Sequence, residues 1–363
     1  MSKVAVGLSG GIDSGSTARL LLAQGYDVIG VTMWVFDHQT DEIKAAKKVA
    51  DLLGIGHYVL DYRDAFHEHV VQYFNTQYAL GFTPNPCIVC NQIFKYGRLI
   101  DDATLKFNAN FFATGHYARS TQVVQDTALA KKGEYQILKA VNRRKDQSYN
   151  LFTLNQETIS KLIFPLGQIE SKDTVRAHFS DVNPSFSQKK DSLGICFIPD
   201  KDHLNHLKRI QSTAMTPGKF VGTDGSVLGE HSGIAHYTIG QKRRLGKDLN
   251  GQYLNGKYVV VSINSNTNTV VLGEEPDLMH HRVQCKAFNT ISNFLREQLL
   301  NGHTLEVDVC LSQWSEQYRG VLSLTSSSGD AVVTFEKPVR APSPGQALVC
   351  YSGEVLIGGG IIA

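Results

Sequence analysis

A chain of 363 residues is longer than one hydrophobic core usually supports, so two or three domains are expected. With 42% hydrophobic and 19% charged residues, the composition excludes collagen-like, disordered and coiled-coil classes. The net charge of +2 gives no global attraction to a polyanion, so any nucleic-acid surface has to come from local clusters. Arg143, Arg144 and Lys145, then Lys189 and Lys190, then Lys242, Arg243 and Arg244 are the candidates, although each also reads as an ordinary solvated face.

The chain opens MSKVAVGLSGG, directly into a strand and a glycine loop. No signal peptide fits there and no apolar run reaches membrane-spanning length, so a cytoplasmic location without membrane contact is expected. The strands VAVGLS, YDVIGVTMWVF and GHYVLDY alternate with the helices SGSTARLLLAQG and DEIKAAKKVADLLG, a parallel βαβ pattern. A further strand, NFFATGHYA, follows a long helical stretch, and LNQETISKLIF and SKDTVRAHFS read as helices. After Cys196 the texture turns to Gly-punctuated β-segments with almost no helical periodicity, such as KYVVVSIN, LEVDVCLS and QALVCYSG, which suggests β-barrels. The expected division is an α/β domain over 1–200, a small mostly-β domain over 201–277 and a β-barrel over 278–363.

Gly7, Leu8, Ser9, Gly10, Gly11, Ile12, Asp13 and Ser14 lie between the first strand and the first helix. Glycines let backbone N–H groups converge, Ser9 and Ser14 can add hydroxyl donors, and the helix N-terminus adds its positive end, so the loop is expected to bind phosphate. It lacks the GK[ST] of a Walker A loop and therefore that loop's lysine. The alternative is a simple tight turn.

Six cysteines are too few and too unevenly placed for a secreted disulfide framework. Cys87 and Cys90 stand in TPNPCIVCN, a proline-rigid loop opening into a helix, where the dipole is expected to stabilise a Cys90 thiolate. Cys196 follows Lys189 and Lys190, whose charges are expected to lower its pKa. Cys285, Cys310 and Cys350 sit in strand patterns and read as core.

The segment Ser9 to Ser14, SGGIDS, resembles the signature of the PP-loop ATPases, which cut ATP between the α and β phosphates. That resemblance implies an adenine-nucleotide α-hydrolase-like, Rossmann-like sheet, with Met33 and Gly115 lining the adenine and ribose pocket. Without it, Met33 and Gly115 read as a core methionine and a turn glycine. The ordered blocks SGGIDS, TPNPCIVCN, FFATGHYA, RRKDQSY, KKDSLGICFI, GQKRRLG and SPGQA, covering nearly the whole chain, are similar to the tRNA-specific 2-thiouridylases. The family resemblance implies a PP-loop domain, a small central domain and a C-terminal β-barrel. It also implies Mg2+ and ATP, and formation of 2-thiouridine at the wobble position of tRNAs for Glu, Gln and Lys, with Cys90 and Cys196 catalytic. A persulfide on Cys196 would come from a relay protein or a cysteine desulfurase, and a reductant would reset the cysteines. Asn85, Pro86, Cys87, His116, Lys145, Asp146, Gln147 and Gln346 match tRNA-contacting positions.

Two departures stand out. Many relatives carry Asp where this chain has Cys87, so Cys87, Cys90 and Cys196 also resemble the three-cysteine sets that hold a [4Fe-4S] cluster in some tRNA thiolases. Where relatives tend to carry a basic strand in the barrel, this chain has Ser312, Gln313 and Trp314. An amide-forming ligase with the same loop would leave the cysteines unexplained. A 2-thiocytidine-forming thiolase would leave the two β-domains unexplained.

Overall fold

The computed structural model describes residues 1–180, 194–313, 315–326 and 329–363, of which 177–180 are described for backbone alone. Strands β1 (Lys3–Gly7), β2 (Asp27–Trp34), β3 (Gly56–Asp61) and β4 (Phe111–Ala113) are followed by a hairpin, β5 (Ala118–Gln122) and β6 (Tyr135–Lys139), and then by β7 (Leu162–Ile163). Five of these form a parallel sheet in the order β3-β2-β1-β4-β7. Val4, Ala5 and Val6 of the central strand are fully buried, as a strand covered on both faces requires. Helix α1 (Ile12–Ala23) and helix α2 (Thr40–Leu53) cover one face through Ala18, Leu21, Ala46 and Val49. The other face carries two longer helical runs, over 63–79 and 86–107. Their Phe66, Phe74 and Phe94 are almost fully buried in a cluster that also receives Phe197.

The central unit is a four-stranded sheet of β8 (Gly218–Gly222), β9 (Val227–His231), β10 (Val259–Asn264) and β11 (Thr269–Gly273), ordered β10-β11-β8-β9 over Phe220, Val260, Val270 and Leu272. The last unit comprises β12 (Met279–Thr290), β13 (Leu305–Cys310), β14 (Tyr318–Leu324), β15 (Ala331–Arg340), β16 (Ala347–Ser352) and β17 (Val355–Ile362). Because β12 pairs with both β15 and β17, these six strands close into a barrel and leave no edge.

Three local expectations change. NFFATGHYA is not one strand: the chain turns between β4 and β5, and the turn carries Thr114, Gly115 and His116. The β5–β6 hairpin, counted with the first domain on sequence grounds, joins the barrel sheet, with Val355 of β17 opposite Leu138 and Lys139 N donating to Glu354 O at 2.9 Å. The β-rich half also contains helices, His203–Arg209 and Asn293–Leu300, each started by a side-chain cap (Asp202 and Ser292) and too short to announce itself by periodicity.

Candidate active site

The loop between β1 and α1 is tight because its neighbours leave no room. Gly10 has φ +70°, and a Cβ on it would lie 2.7 Å from Ala45 Cβ and 2.9 Å from both Ala46 N and Glu42 O. Gly115 lies flat on the loop, where a Cβ would stand 2.9 Å from Asp13 C and Ser14 N. The base of the loop is tied to β2: Leu8 N donates to Val31 O at 2.8 Å, and Thr32 Oγ1 donates to Leu8 O at 2.7 Å. With its one proton spent there, the Thr32 hydroxyl accepts from His57 Nε2, also at 2.7 Å. No side chain caps α1, so its first-turn N–H groups, which have no intrahelical acceptor, face the loop.

The two serines behave differently from the sequence expectation. Ser14 Oγ donates to Gly11 O at 3.1 Å and accepts from Ser9 N at 3.2 Å, while Ser9 Oγ lies 3.3 Å from Ser14 Oγ. Both hydroxyl protons are therefore used inside the loop, and the donors it offers are backbone N–H groups. Asp13 is held on both oxygens, by Tyr117 Oη at 2.9 Å and by Lys172 Nζ at 3.3 Å. The Lys172 side chain is only 10% exposed, so the loop that lacks a Walker lysine has a buried lysine at its rim. Met33 is half-buried near the end of β2, and its carbonyl accepts from Gln39 Nε2 at 3.0 Å.

The cysteine loop is preorganised by its cap. Asn85 Oδ1 accepts from Cys87 N at 3.1 Å, and Pro86 occupies the first helical position, where its missing N–H is no loss. Cys87 at the second helical position is exposed, and Cys90 one turn further is buried. From Cys90 the helix widens into a π-type stretch, Asn91–Arg98, that brings Lys95 and Tyr96 round toward the thiol.

Cys196 is anchored from the next residue: Phe197 packs edge-on against Phe66 and Phe74. Cys196 itself presents surface to solvent although its thiol is closely surrounded. Burial pushes that thiol up to about 12, with Cys90 and Cys87 adding to the rise and Lys95 opposing it. Burial also raises the Cys90 thiol, again against Lys95. The expected thiolate stabilisation at Cys90 is thus outweighed by its burial. Lys189 and Lys190, the expected cations beside Cys196, lie outside the described residues; among the described residues Lys95 is the cation that acts on both thiols.

A phosphate-shaped loop and a pair of coupled thiols in one α/β domain, followed by two β-units, can be compared with known proteins. The descriptions "tRNA methyl transferase HUP domain", "tRNA methyl transferase PRC-barrel domain" and "Aminomethyltransferase beta-barrel domain" match residues 2–200, 205–274 and 284–362. A protein of Clostridium perfringens named tRNA-specific 2-thiouridylase MnmA is 38% identical, with 99% of this chain and 98% of that protein covered. Proteins of the same name from Carboxydothermus hydrogenoformans and Treponema denticola are each 37% identical, with 99% of this chain and 97% of the relative covered. The chain belongs to the tRNA-specific 2-thiouridylase family.

Against the thiouridylase pattern, several positions matched to tRNA contact are bonded to other parts of the same chain. Gln346 Nε2 donates to Thr83 O at 2.8 Å, two residues before Asn85, and Thr83 N donates to Pro344 O at 3.0 Å. Asp146 accepts from Ala140 N and from Ser148 Oγ, each at 2.7 Å. Gln147 bonds to both main-chain groups of Tyr117. His116 is half-buried, with Nδ1 within 3.0 Å of Tyr96 Oη and 2.9 Å of Thr114 Oγ1. Desolvation and the Lys95 charge lower its pKa to about 3, so it is a neutral imidazole at physiological pH. Lys145 is half-buried.

Among the described residues no group of three His, Cys, Asp or Glu side chains converges as a metal centre. Cys87, Cys90 and Cys196 are thus not gathered as a cluster site in this conformation. At the barrel rim, a cavity of about 450 Å3 separates Asp146 and Arg143 from Cys310 and Gln313. Trp314 lies outside the described residues. Cys285, Cys310 and Cys350 are buried in the barrel, as their strand patterns suggested.

The sequence reading missed Lys95, Tyr117 and Lys172. Tyr117 and Lys172 are each more than 100 residues from Asp13, so spacing carries no trace of the contact. Lys95, five residues from Cys90 on the same helix, had a signal only if the π-type stretch was foreseen.

Proposed function

We propose that this chain replaces the C2 oxygen of the wobble uridine of tRNA with sulfur at the expense of ATP, giving 2-thiouridine, AMP and pyrophosphate. Family membership supports tRNA-uridine thiolation as the activity. The observation that carries the finer reading is one domain holding an N–H-lined phosphate loop together with two cysteines on separate segments, Cys90 buried and Cys196 presenting surface to solvent, with Cys90 close enough to raise the Cys196 thiol.

The C2 carbonyl is a poor electrophile because the ring nitrogens donate into it, and oxide is a poor leaving group. Transfer of the adenylyl group to O2 cures both, with pyrophosphate departing from the α phosphate. The N–H groups of the Gly7 to Ser14 loop hold the departing phosphates, while Met33 and Gly115 border the nucleoside. Asp13 supplies one carboxylate, which with substrate phosphates is the donor set Mg2+ commonly takes, and a bound Mg2+ would offset charge on the triphosphate.

A persulfide on Cys196 then attacks C2 through its terminal sulfur, and AMP leaves. The Cys90 thiolate attacks Sγ of Cys196, the sulfur–sulfur bond breaks toward C2, and 2-thiouridine is released. The product on the protein is a Cys90–Cys196 disulfide, which a two-electron reductant must open. Burial that keeps both resting residues as thiols protects them from oxidation between turnovers. Cys196, the more accessible of the two, is the one an external persulfide donor can reach. The uridine has to leave its stack to arrive at near-attack distance, and Asn85, Pro86 and Cys87 line its approach. The tRNAs for Glu, Gln and Lys are the substrates, and a relay protein or cysteine desulfurase supplies the persulfide.

The test is mass spectrometry of nucleosides from unmodified tRNA incubated with the protein, Mg-ATP and a cysteine desulfurase with cysteine as persulfide donor, with and without anaerobic iron–sulfur reconstitution. ATP-dependent 2-thiouridine in both arms is expected. Product only after reconstitution would replace the persulfide route with a cluster held by the three cysteines, and no product in either arm would sink the reading.

A further inference from the structure

The loop 145–147 and the phosphate loop are joined by a short, continuous chain of bonds. Gln147 N donates to Tyr117 O at 2.8 Å, and Tyr117 N donates to Gln147 Oε1 at 3.0 Å, so one glutamine grips both main-chain groups of one tyrosine. Tyr117 is 2% exposed, and its hydroxyl donates to Asp13 Oδ1 at 2.9 Å. Asp13 lies in the first turn of α1, with Lys172 on its other oxygen and Gly115 against its backbone. Behind Gln147, Asp146 pins the loop to Ala140 N and Ser148 Oγ. Neither Asp146 nor Gln147 can turn its side chain outward to RNA without releasing these bonds.

The Tyr117 phenol links the segment gripped by Gln147 to Asp13 of the phosphate loop. Displacing the 145–147 loop by a fraction of an ångström drags the Tyr117 backbone. A buried ring cannot absorb that movement by changing rotamer, so its hydroxyl shifts against Asp13. The carboxylate then changes its balance between Tyr117 and Lys172, at the edge of the site where the triphosphate sits.

We propose that Tyr117 is a positioning residue that couples the two substrates: RNA engaging the 145–147 loop sets Asp13 through Tyr117, and nucleotide in the phosphate loop sets the RNA-binding loop in return. This rests on the proposed ATP-dependent thiolation. It differs from a direct RNA contact by Gln147, because the glutamine acts inward. Coupling of two binding events is reciprocal, so each ligand must tighten the other by the same factor.

The experiment measures the Kd of unmodified substrate tRNA for the full chain with and without saturating α,β-methylene-ATP, which cannot be cleaved at the α–β bridge. Wild type should bind tRNA about 5- to 100-fold more tightly with the analogue. In Tyr117→Phe, which keeps the ring and removes the hydroxyl, the ratio should fall to near one while the affinity for each ligand alone changes little. A purely structural tyrosine would weaken both ligands and leave the ratio intact. If the Phe variant folds poorly, Gln147→Ala, which removes the acceptor for Tyr117 N, should also bring the ratio to near one, whatever it does to the affinity for tRNA alone. A wild-type ratio of one, or a ratio unchanged in either folded variant, overturns the proposal. Absence of ATP-dependent 2-thiouridine from the wild-type protein overturns the function reading instead, so the two failures are distinct.

Discussion

The nucleotide loop and the thiol pair occupy one domain but are prepared in opposite ways. Around Gly10 and Ser14 every visible bond fixes the backbone in the shape it needs, and the donors that matter are N–H groups that require no activation. Around Cys90 and Cys196 the geometry is prepared but the chemistry is held off, because burial raises both thiols and outweighs the opposing pull of Lys95. A phosphate site works by being rigid. A sulfur-transfer site has to be safe when idle, and under the proposed route its reactive form would appear only when a persulfide is loaded.

The sharpest way to break this comparison is to remove one sulfur. Cys196→Ser should lower 2-thiouridine formation by at least about 10³-fold, as loss of a nucleophile does, while ATP affinity measured by calorimetry stays within about twofold. Loss of ATP binding would show that the two regions are not separable. Gly10→Ala attacks the other half. The left-handed φ alone costs about 1 kcal/mol and the contact with Ala45 adds to it, so ATP should bind about tenfold or more weakly, with Cys196 still labelled by iodoacetamide at the wild-type rate.

Lys95→Met sharpens the difference in electrostatics. Without this cation both thiols titrate higher, so the rising limb of the pH–rate profile should move up, and the rate near pH 7.5 should fall about two- to fivefold. An unmoved limb would assign it to another group.

His116 provides a stability test. Its folded pKa, about 3, lies below the ordinary 6.5, so its contribution to stability is present above about pH 6.5 and is lost as pH falls from there toward 3. His116→Gln should flatten the acid limb of the stability curve in urea titrations across that window. The smallest effect is expected in the barrel: Cys350→Ala should cost about 1–2 kcal/mol of stability and leave thiolation in place, since that thiol is fully buried among strands.

Much of this was legible in the residues. The strand–glycine–helix order around Ser9 to Ser14, the βαβ alternation and the placement of Cys285 and Cys350 in strand patterns all correspond to local rules that the fold obeys. What escaped was set by contacts distant in sequence. Cys90 was expected to ionise because helix position can be read from a string, whereas the burial that outweighs the dipole comes from packing between elements. Ser9 and Ser14 were expected to donate outward because the loop's internal bonds depend on φ and ψ values that composition does not encode. The short helix Asn293–Leu300 offered too few turns for a period to emerge.

The β5–β6 hairpin carries a consequence for how the chain is made. On the ribosome, residues 118–139 emerge long before the strand that β6 pairs with, Val355–Ile362. Until then the nucleotide domain has an unpaired β-edge that invites association with other chains. Emergence of β17, rather than completion of the first domain, is the event that pairs this edge, so a chain truncated before β17 should be captured by chaperones or aggregate.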